Sequence, residues 1–288
     1  MLTKEQKVTL ARALELETLD ILTLDHARKM AVELGLPLKC IEWFALDQGV
    51  TVPRYQPNVL TLGVLGQKRL LQSTVMIVGL GGLGGTVLEE LARAGVGRIV
   101  CVDRDTFEET NLNRQLLATS QSLGKSKVSQ AAKRVTMINE AVEVATVTEE
   151  FAEAPSELWQ DVDIVFDCLD SIPNRLLLAE KCSAVGIPLV HGAVGAWCGQ
   201  VGVIWPGSGA LEKLYRNCRH DVKQTGVLPS TAVTTGSLMV AEGTKVLVGK
   251  RNDRELRFLF FDLLENEWHS ITFDSEGPIA SFERQEER

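Results

Sequence analysis

Four glycines that could bind an anion lie in one short stretch, Gly79-Leu-Gly-Gly-Leu-Gly84, at Gly79, Gly81, Gly82 and Gly84. An apolar, β-branched run precedes them at 75–78, and a segment with helical spacing follows at 86–94. Glycines let the backbone turn tightly and approach a ligand closely. A turn of this kind between a strand and a helix directs free N–H groups and the helix dipole at an anion. The pattern predicts a nucleotide phosphate site in a doubly wound α/β domain.

A carboxylate follows the next predicted strand, which spans 98–102 and leads into Asp103. Asp103 lies 19 residues beyond Gly84 (103 − 84), a spacing at which a carboxylate can reach a ribose hydroxyl. NAD and ATP fit this much of the pattern equally well.

Two cations, Arg114 and Lys127, separate these nucleotides. A hydride-transfer site does not need both cations in one pocket, whereas a site that binds a triphosphate does. A planar guanidinium and an ammonium can hold phosphate oxygens and neutralise the charge of leaving pyrophosphate. Either residue alone would be interpreted as a solvated surface cation, but the pair favours ATP.

Five motifs occur in a fixed order and carry a family resemblance. They are the glycine stretch, Asp103-x-Asp105, Asn111-Leu-Asn-Arg-Gln115, Gly124-x-x-Lys127 and Asp167-Cys-Leu-Asp170. Together they resemble the ThiF/MoeB/HesA family, adenylyltransferases that activate sulfur carrier proteins and are related to ubiquitin-activating enzymes. The resemblance covers roughly residues 54–272. It implies a Rossmann-like, mostly parallel sheet with antiparallel C-terminal strands.

The resemblance also implies a reaction and a set of site residues. ATP, with Mg²⁺, would adenylate the C-terminal glycine of a small ubiquitin-like carrier ending in Gly-Gly, and the enzyme would be a homodimer. The implied catalytic residues are Arg114, Lys127 and Asp170, with Cys218 as a further candidate, and Asp170 would hold Mg²⁺. The implied nucleotide-binding residues are Gly79, Gly81, Gly82, Gly84, Asp103, Asp105, Thr110, Asn111, Leu112, Asn113, Arg114, Lys127, Asp170 and Ser171.

The chain departs from the family pattern in two places. Pro57 stands where relatives carry an Arg that reaches the γ-phosphate of the other subunit, so Arg54 or an N-terminal residue substitutes or phosphate binding is weaker. The two Cys-x-x-Cys pairs of a structural zinc site are missing, which predicts a protein without zinc. Cys218, in Arg216-Asn-Cys-Arg219, is either a reactive thiol or a bystander on a loop.

Composition limits what can be expected of the partners, the cellular location and the domain organisation. The 288 residues carry a net charge of −8, which argues against nucleic acid as the main partner. The charged N-terminus is unlike a signal peptide, and no apolar run approaches a membrane span. Six widely spaced cysteines are typical of reduced thiols in a cytoplasmic protein. Residues 1–50 are expected to form a helical accessory module, and 54–288 the ATP-binding adenylyltransferase domain.

Local patterns predict three helices in the accessory module. A capping-box pattern, Thr3-x-x-Gln6, opens a helix that is expected to run to about Leu22. The second and third helices are expected at about 24–34 and 38–47, with Val32 in their small core. Residues 50–53 are interpreted as a linker, 152–161 as an acidic connector and 274–288 as a polar tail.

Several alternatives stay open at the level of sequence. The chain could be a degenerate scaffold that binds carrier and nucleotide without turnover, or could activate another carboxylate, such as that of a modified tRNA base. The pathway could be thiamine, molybdenum or tungsten cofactor synthesis, or another sulfur route. His191, at a predicted strand end, is interpreted as structural rather than catalytic. Asp170 could cap the following helix instead of, or as well as, binding Mg²⁺.

Overall fold

A computed structural model describes residues 3–17, 19–216, 226–251, 256–273 and 278–279. Cys218 lies outside these residues, so its predicted role stays a prediction. Within the described residues, no helix is both long and apolar enough to cross a membrane.

One mixed sheet organises the described chain. Its strands are β1 Thr74–Val78, β2 Arg98–Val102, β3 Glu143–Val147, β4 Ile164–Asp167, β5 Leu189–Gly195, β6 Cys198–Ile204, β7 Leu256–Asp262, β8 Glu267–Phe273 and β9 Pro278–Ile279. Their order is β3-β2-β1-β4-β5-β6-β7-β8-β9. Strands β1 to β5 pair in parallel, and β5 to β9 pair antiparallel. The predicted fold class is confirmed.

Helices cover both faces of the sheet. They are α1 Lys4–Glu17, α2 Leu24–Leu34, α3 Leu38–Asp47, α4 Gln56–Gln72, α5 Gly82–Ala94, α6 Lys127–Ile138, α7 Glu157–Gln160, α8 Ile172–Val185, α9 Ala210–Tyr215 and α10 Pro229–Leu247. Side chains alternate along a strand, so Val75 and Ile77 join a core with α5, α6 and α10. Met76 and Val78 point to the other face and join a core with α8 and α9.

The three N-terminal helices form a layer with its own hydrophobic cluster. The predicted capping box is present, because Thr3 and Gln6 exchange side-chain to backbone hydrogen bonds. Two predictions are wrong here. α1 ends at Glu17 rather than near Leu22, and Leu22 is instead buried, with its N–H donating to Thr51 O. Val32, predicted to be core, is 84% exposed because it faces away from the cluster.

Three segments expected to be irregular are structured. The predicted linker at 50–53 packs into the N-terminal cluster through Val50 and Val52. The predicted acidic connector at 152–161 contains α7 and buries Trp159. Part of the predicted C-terminal tail forms β9, which pairs with β8. Val50, Val52 and Trp159 are buried, and the backbone of β9 pairs with β8, which fixes each of these segments against the rest of the fold.

Candidate functional site

The glycine turn lies at the carboxyl end of β1, beside the end of β4. From β1, the chain adds β2 and β3 on one side and β4 and β5 on the other, so the strand order changes direction between β1 and β4. Open α/β sheets bind ligands at such a switch point. Gly79 has φ 91°, and a Cβ there would lie 2.7 Å from Cys168 O. A Cβ on Gly84 would lie 1.9 Å from Gly79 O. The turn therefore needs glycine at both positions.

The helix that follows begins without a side-chain cap. The N-cap residue of α5 is Gly81, which has no side chain that could accept a hydrogen bond from the first turn. The N–H groups of that turn have no intrahelical acceptor, and the helix dipole adds positive potential. This end of α5 is suited to an anion.

A partly buried ion cluster lies next to the turn. Asp103 accepts hydrogen bonds from Leu80 N at 2.6 Å and Asp105 N at 2.8 Å. Lys127 Nζ lies 3.1 Å from Asp105 Oδ2 and 3.8 Å from Asp103 Oδ2. The side chains of Lys127 and Asp103 are 8% and 7% exposed, whereas that of Asp105 is 59% exposed. Burial raises the pKa of the Asp103 carboxyl, opposed by the Leu80 N–H and the Lys127 ammonium.

The segment with the Asn-Leu-Asn-Arg motif forms a short 3-10 turn and a bend over α5. Arg114 Nη1 donates to Thr110 O at 2.8 Å and to Asn113 Oδ1 at 2.9 Å. Arg114 O lies 3.4 Å from the position of a Cβ on Gly82. Asn111 is buried and closes the turn by accepting from Glu108 N, while Leu112 is 40% exposed. Arg114 and Lys127 thus both lie close to the glycine turn, and their predicted role in binding a nucleotide stays a prediction.

The loop after β4 brings Asp170 to the same edge of the sheet. The cap of α8 is Ser171, whose Oγ accepts from Asn174 N, so Asp170 is not the capping residue. The Asp170 side chain is exposed. Its carboxylate is a hard oxygen donor of the kind that Mg²⁺ prefers.

A buried polar network beneath this loop went unrecognised in the sequence. His191 Nδ1 lies 2.7 Å from Asp167 Oδ2, and both side chains are fully buried. His191 Nε2 lies 3.1 Å from Tyr215 Oη and from Gln200 Nε2. Burial lowers the pKa of His191, against the opposing effect of Asp167, so the ring is neutral near pH 7 and donates from Nδ1. Asp167 lies beside His191 because β4 and β5 pair in this register, which no local pattern in the sequence specifies. The contacts agree with a structural role for His191.

Arg175 connects that network to the Asp170 loop. It is 6% exposed and donates to Gly192 O at 2.9 Å and to Leu169 O at 2.5 Å. The carbonyl adjacent to Asp170 is therefore fixed by a buried guanidinium.

Arg54 does not lie at the glycine turn of its own chain, so its substitution for the charge lost at Pro57, which would act across a homodimer, stays a prediction. Arg54 pairs with buried Glu42 and donates to Asn139. Asn139 in turn donates to Ala92 O, near the C-terminal end of α5. The 13 residues of α5 span about 20 Å, which separates Arg54 from the glycine turn.

The described residues contain no cluster of three or more His, Cys, Asp or Glu side chains that could by itself hold a metal ion. Asp170 could hold Mg²⁺ only together with ligands from outside the chain, such as phosphate oxygens and water. As a whole, the site combines a helix N-terminus, two cations and a buried carboxylate, which suits a nucleotide with several phosphates.

The sequence profile of the ThiF family matches residues 55–278. The chain belongs to the ThiF family. This confirms the resemblance that the five motifs carry, over nearly the same residues.

Relatives in this family extend the comparison. The chain is 33% identical to the SAMP-activating enzyme E1 of Haloferax volcanii, covering 76% of this chain and 84% of that protein. It is 35% identical to the sulfur carrier protein adenylyltransferase of Thermus thermophilus, covering 73% and 82%. It is 33% identical to the probable adenylyltransferase/sulfurtransferase MoeZ of Mycobacterium tuberculosis, covering 77% of this chain but 60% of that protein. These names confirm the predicted enzyme class, adenylyltransferase, at the level of the family.

Solved structures show the same fold. E. coli MccB crystallised with ATP superposes with a TM-score of 0.65 at 19% identity, covering 85% of this chain and 81% of MccB. PaaA superposes with a TM-score of 0.62 at 23% identity, covering 76% and 72%.

Proposed function

We propose that this ThiF-family chain uses ATP to adenylate the C-terminal carboxylate of a small ubiquitin-like sulfur carrier protein. Two relatives support a carrier protein as the substrate. The Thermus relative is named a sulfur carrier protein adenylyltransferase, and the Haloferax relative is named a SAMP-activating enzyme. The observation that carries the proposal is the position of Lys127, buried beside Asp103 and the glycine turn. A buried ammonium at a helix N-terminus suits a polyphosphate better than a nicotinamide dinucleotide.

The proposed reaction requires no general base, because the attacking group is already an ionised carboxylate. A carboxylate oxygen of the carrier attacks the α-phosphorus of ATP, and the bond from that phosphorus to the bridging oxygen breaks. The products are an acyl-adenylate and pyrophosphate. The work of the protein is to position the two substrates and to neutralise charge.

Individual residues have distinct proposed roles. Asp103 binds the ribose, while the glycines and the Thr110 to Asn113 turn line the nucleotide. Lys127 and Arg114 bind phosphate oxygens. The Asp105 partner of Lys127 is 59% exposed, so a phosphate can replace it at Nζ without burying an unpaired carboxylate.

Asp170 fits the role of a Mg²⁺ ligand. Ser171 already caps α8, so the exposed Asp170 carboxylate is not needed by the helix. When bound, Mg²⁺ would neutralise phosphate charge. The Arg175 contact with Leu169 O keeps this loop in place.

We further propose a cytoplasmic homodimer. The described cysteines are all free thiols, as expected in a reducing compartment. Leu60 and Leu65 on α4 are 84% and 62% exposed, which supports a subunit interface on that helix. The pathway, whether thiamine, molybdenum or tungsten cofactor synthesis, stays open, and the absence of zinc and the role of Cys218 stay predictions.

A second candidate function is a scaffold that binds carrier and nucleotide without turnover. Two observations favour it. Pro57 cannot supply the positive charge that the family resemblance places at that position, and the nearby Arg54 is paired with Glu42.

Mass spectrometry of the carrier tests the proposal against the scaffold. The chain is mixed with ATP, Mg²⁺ and a purified carrier ending in Gly-Gly, and the carrier should gain the mass of one AMP. A carrier lacking its last glycine is the control and should stay unmodified. Carrier that binds but gains no mass would favour the scaffold.

A further inference from the structure

Both backbone polar groups of Leu169, the residue before Asp170, are held by buried polar side chains. Leu169 N donates to Asp167 Oδ1 at 3.1 Å, and Leu169 O accepts from Arg175 Nη2 at 2.5 Å. The side chains of Asp167 and Arg175 are 0% and 6% exposed. Because the planar peptide bond after Leu169 leads into Asp170, these contacts set where the exposed Asp170 side chain leaves the backbone.

A chain of hydrogen bonds leads from Asp167 to a hydroxyl at the end of α9. The neutral His191 ring donates from Nδ1 to Asp167 Oδ2 at 2.7 Å, so its Nε2 is an acceptor. Tyr215 Oη lies 3.1 Å from this Nε2 and accepts from Gln200 Nε2 at 2.8 Å. The Tyr215 hydroxyl is therefore placed to accept from Gln200 and to donate to His191, which gives the bonds of the chain one direction.

The same hydroxyl also contacts the other side chain that holds Leu169. Arg175 Nη1 donates to Tyr215 Oη at 3.5 Å. The rings of Tyr215 and His191 meet edge to face, with their centroids 5.8 Å apart. α9 is itself anchored by buried Leu211. One hydroxyl on α9 is thus linked to both contacts on Leu169, and a connected buried network of this kind restricts the backbone that it touches.

We propose that Tyr215 is a positioning residue for the adenylation reaction, whose hydroxyl stabilises the backbone that carries the Asp170 carboxylate. The inference rests on the proposed function, in which Asp170 binds Mg²⁺ at the phosphates. A side chain with such a role must be held to within about 0.5 Å of its productive position by the residues around it. The network that ends at Tyr215 supplies this support from α9.

Carrier-dependent exchange of labelled pyrophosphate into ATP, measured on the full chain, compares two tyrosine variants. Tyr215→Phe removes the hydroxyl and leaves the ring. Tyr55→Phe is the matched control, because the Tyr55 hydroxyl also bonds two buried side chains, Glu42 and Asn139. We expect both variants to melt below the wild type. Exchange should fall about tenfold in Tyr215→Phe, the effect of one lost buried hydrogen bond, and stay at the wild-type rate in Tyr55→Phe.

Calorimetric titration with ATP, without carrier, gives a second readout that needs no turnover. With Mg²⁺ present, Tyr215→Phe should bind ATP about threefold to tenfold more weakly than the wild type. With EDTA in place of Mg²⁺, the two proteins should bind ATP alike, because Asp170 acts on the nucleotide through the metal. Adding Tyr215→Phe to Asp170→Ala should cause no further loss of affinity, because both changes remove the same contact.

Other results overturn separate parts of this inference. Wild-type exchange and ATP affinity in Tyr215→Phe, or an equal loss of exchange in Tyr55→Phe, would assign the network to folding alone. A further loss of affinity in the double variant, or equal losses with Mg²⁺ and with EDTA, would show that Tyr215 does not act through Asp170. Equal affinity of the wild type and Asp170→Ala for ATP with Mg²⁺ would overturn the role of Asp170. A wild type without exchange would overturn the proposed function itself.

Discussion

Asp167 and His191 are direct neighbours on the parallel strands β4 and β5, which places a carboxylate and an imidazole in contact inside the core. Both side chains are fully buried. A charged imidazole in that position would be poorly solvated, which is why burial lowers the pKa of His191 below its ordinary 6.5. The Tyr215 and Gln200 contacts complete the hydrogen bonding of a neutral ring.

The protonation of His191 predicts a pH dependence of stability. The unfolded chain takes up a proton near pH 6.5 that the folded protein excludes, so the free energy of unfolding should fall as the pH falls below 6.5. One such group contributes at most about 1.4 kcal/mol per pH unit. Denaturant unfolding of the wild type and of His191→Gln between pH 5 and 8 measures this.

Loss of that slope in His191→Gln is the expected result. His269→Gln, which changes an exposed histidine, should keep the wild-type profile. An identical pH profile in the wild type and His191→Gln would contradict a neutral, buried His191.

At the scale of the element, Gly84 and Gly85 are adjacent on α5 and have opposite surroundings. A Cβ on Gly84 would overlap Gly79 O at 1.9 Å, whereas a Cβ on Gly85 would lie 3.5 Å from its nearest neighbours, an ordinary contact. Neither residue has a positive φ. The difference between them is therefore one of space alone.

The pair gives a matched test of the glycine turn. Gly84→Ala should lower the free energy of unfolding by about 3 kcal/mol, because the backbone at Gly79 must move. Gly85→Ala should change it by less than about 1 kcal/mol, since alanine favours the helix and fits the space. Denaturant titration measures both. Similar losses in the two variants would show that the turn is arranged differently.

Elements that depend on local patterns were predictable from the sequence. The strand, glycines and helix at 74–94 follow one another in the chain, and α2 and α3 have the predicted bounds. Contacts that depend on strand order were not predictable. Asp167 meets His191 only because β4 and β5 pair in this register, and no local pattern specifies the partner.

At the scale of the whole molecule, the N-terminal layer shares its core with the family domain. Tyr55 and Leu71 belong to the same hydrophobic cluster as Leu22 and Phe44. Tyr55 donates to buried Glu42 at 3.0 Å and accepts from Asn139 at 2.9 Å. The proposed boundary between 1–50 and 54–288 therefore crosses a packed interface. The sequence could not show this, because no local pattern specifies such contacts; Arg28, for example, donates to Glu140, which lies 112 positions away.

This shared core predicts that the family domain depends on the N-terminal layer. Deleting residues 1–50 would expose Tyr55 and Leu71 and leave Arg54 without Glu42, so the truncated chain should melt at a lower temperature than the full chain. Thermal melting followed by circular dichroism measures the change. Equal melting temperatures would support two independently stable units instead.

The central claim is that the chain forms an acyl-adenylate with ATP at the site beside the glycine turn, and carrier-dependent exchange of labelled pyrophosphate into ATP tests it most directly. We predict exchange in the wild type only when a carrier ending in Gly-Gly is present. Lys127→Ala should reduce the rate by about two to three orders of magnitude, because a buried cation at the phosphates is lost. Lys133→Ala, an exposed position on the same helix, should retain it. Absence of exchange in the wild type, or equal exchange in the wild type and Lys127→Ala, would contradict the account.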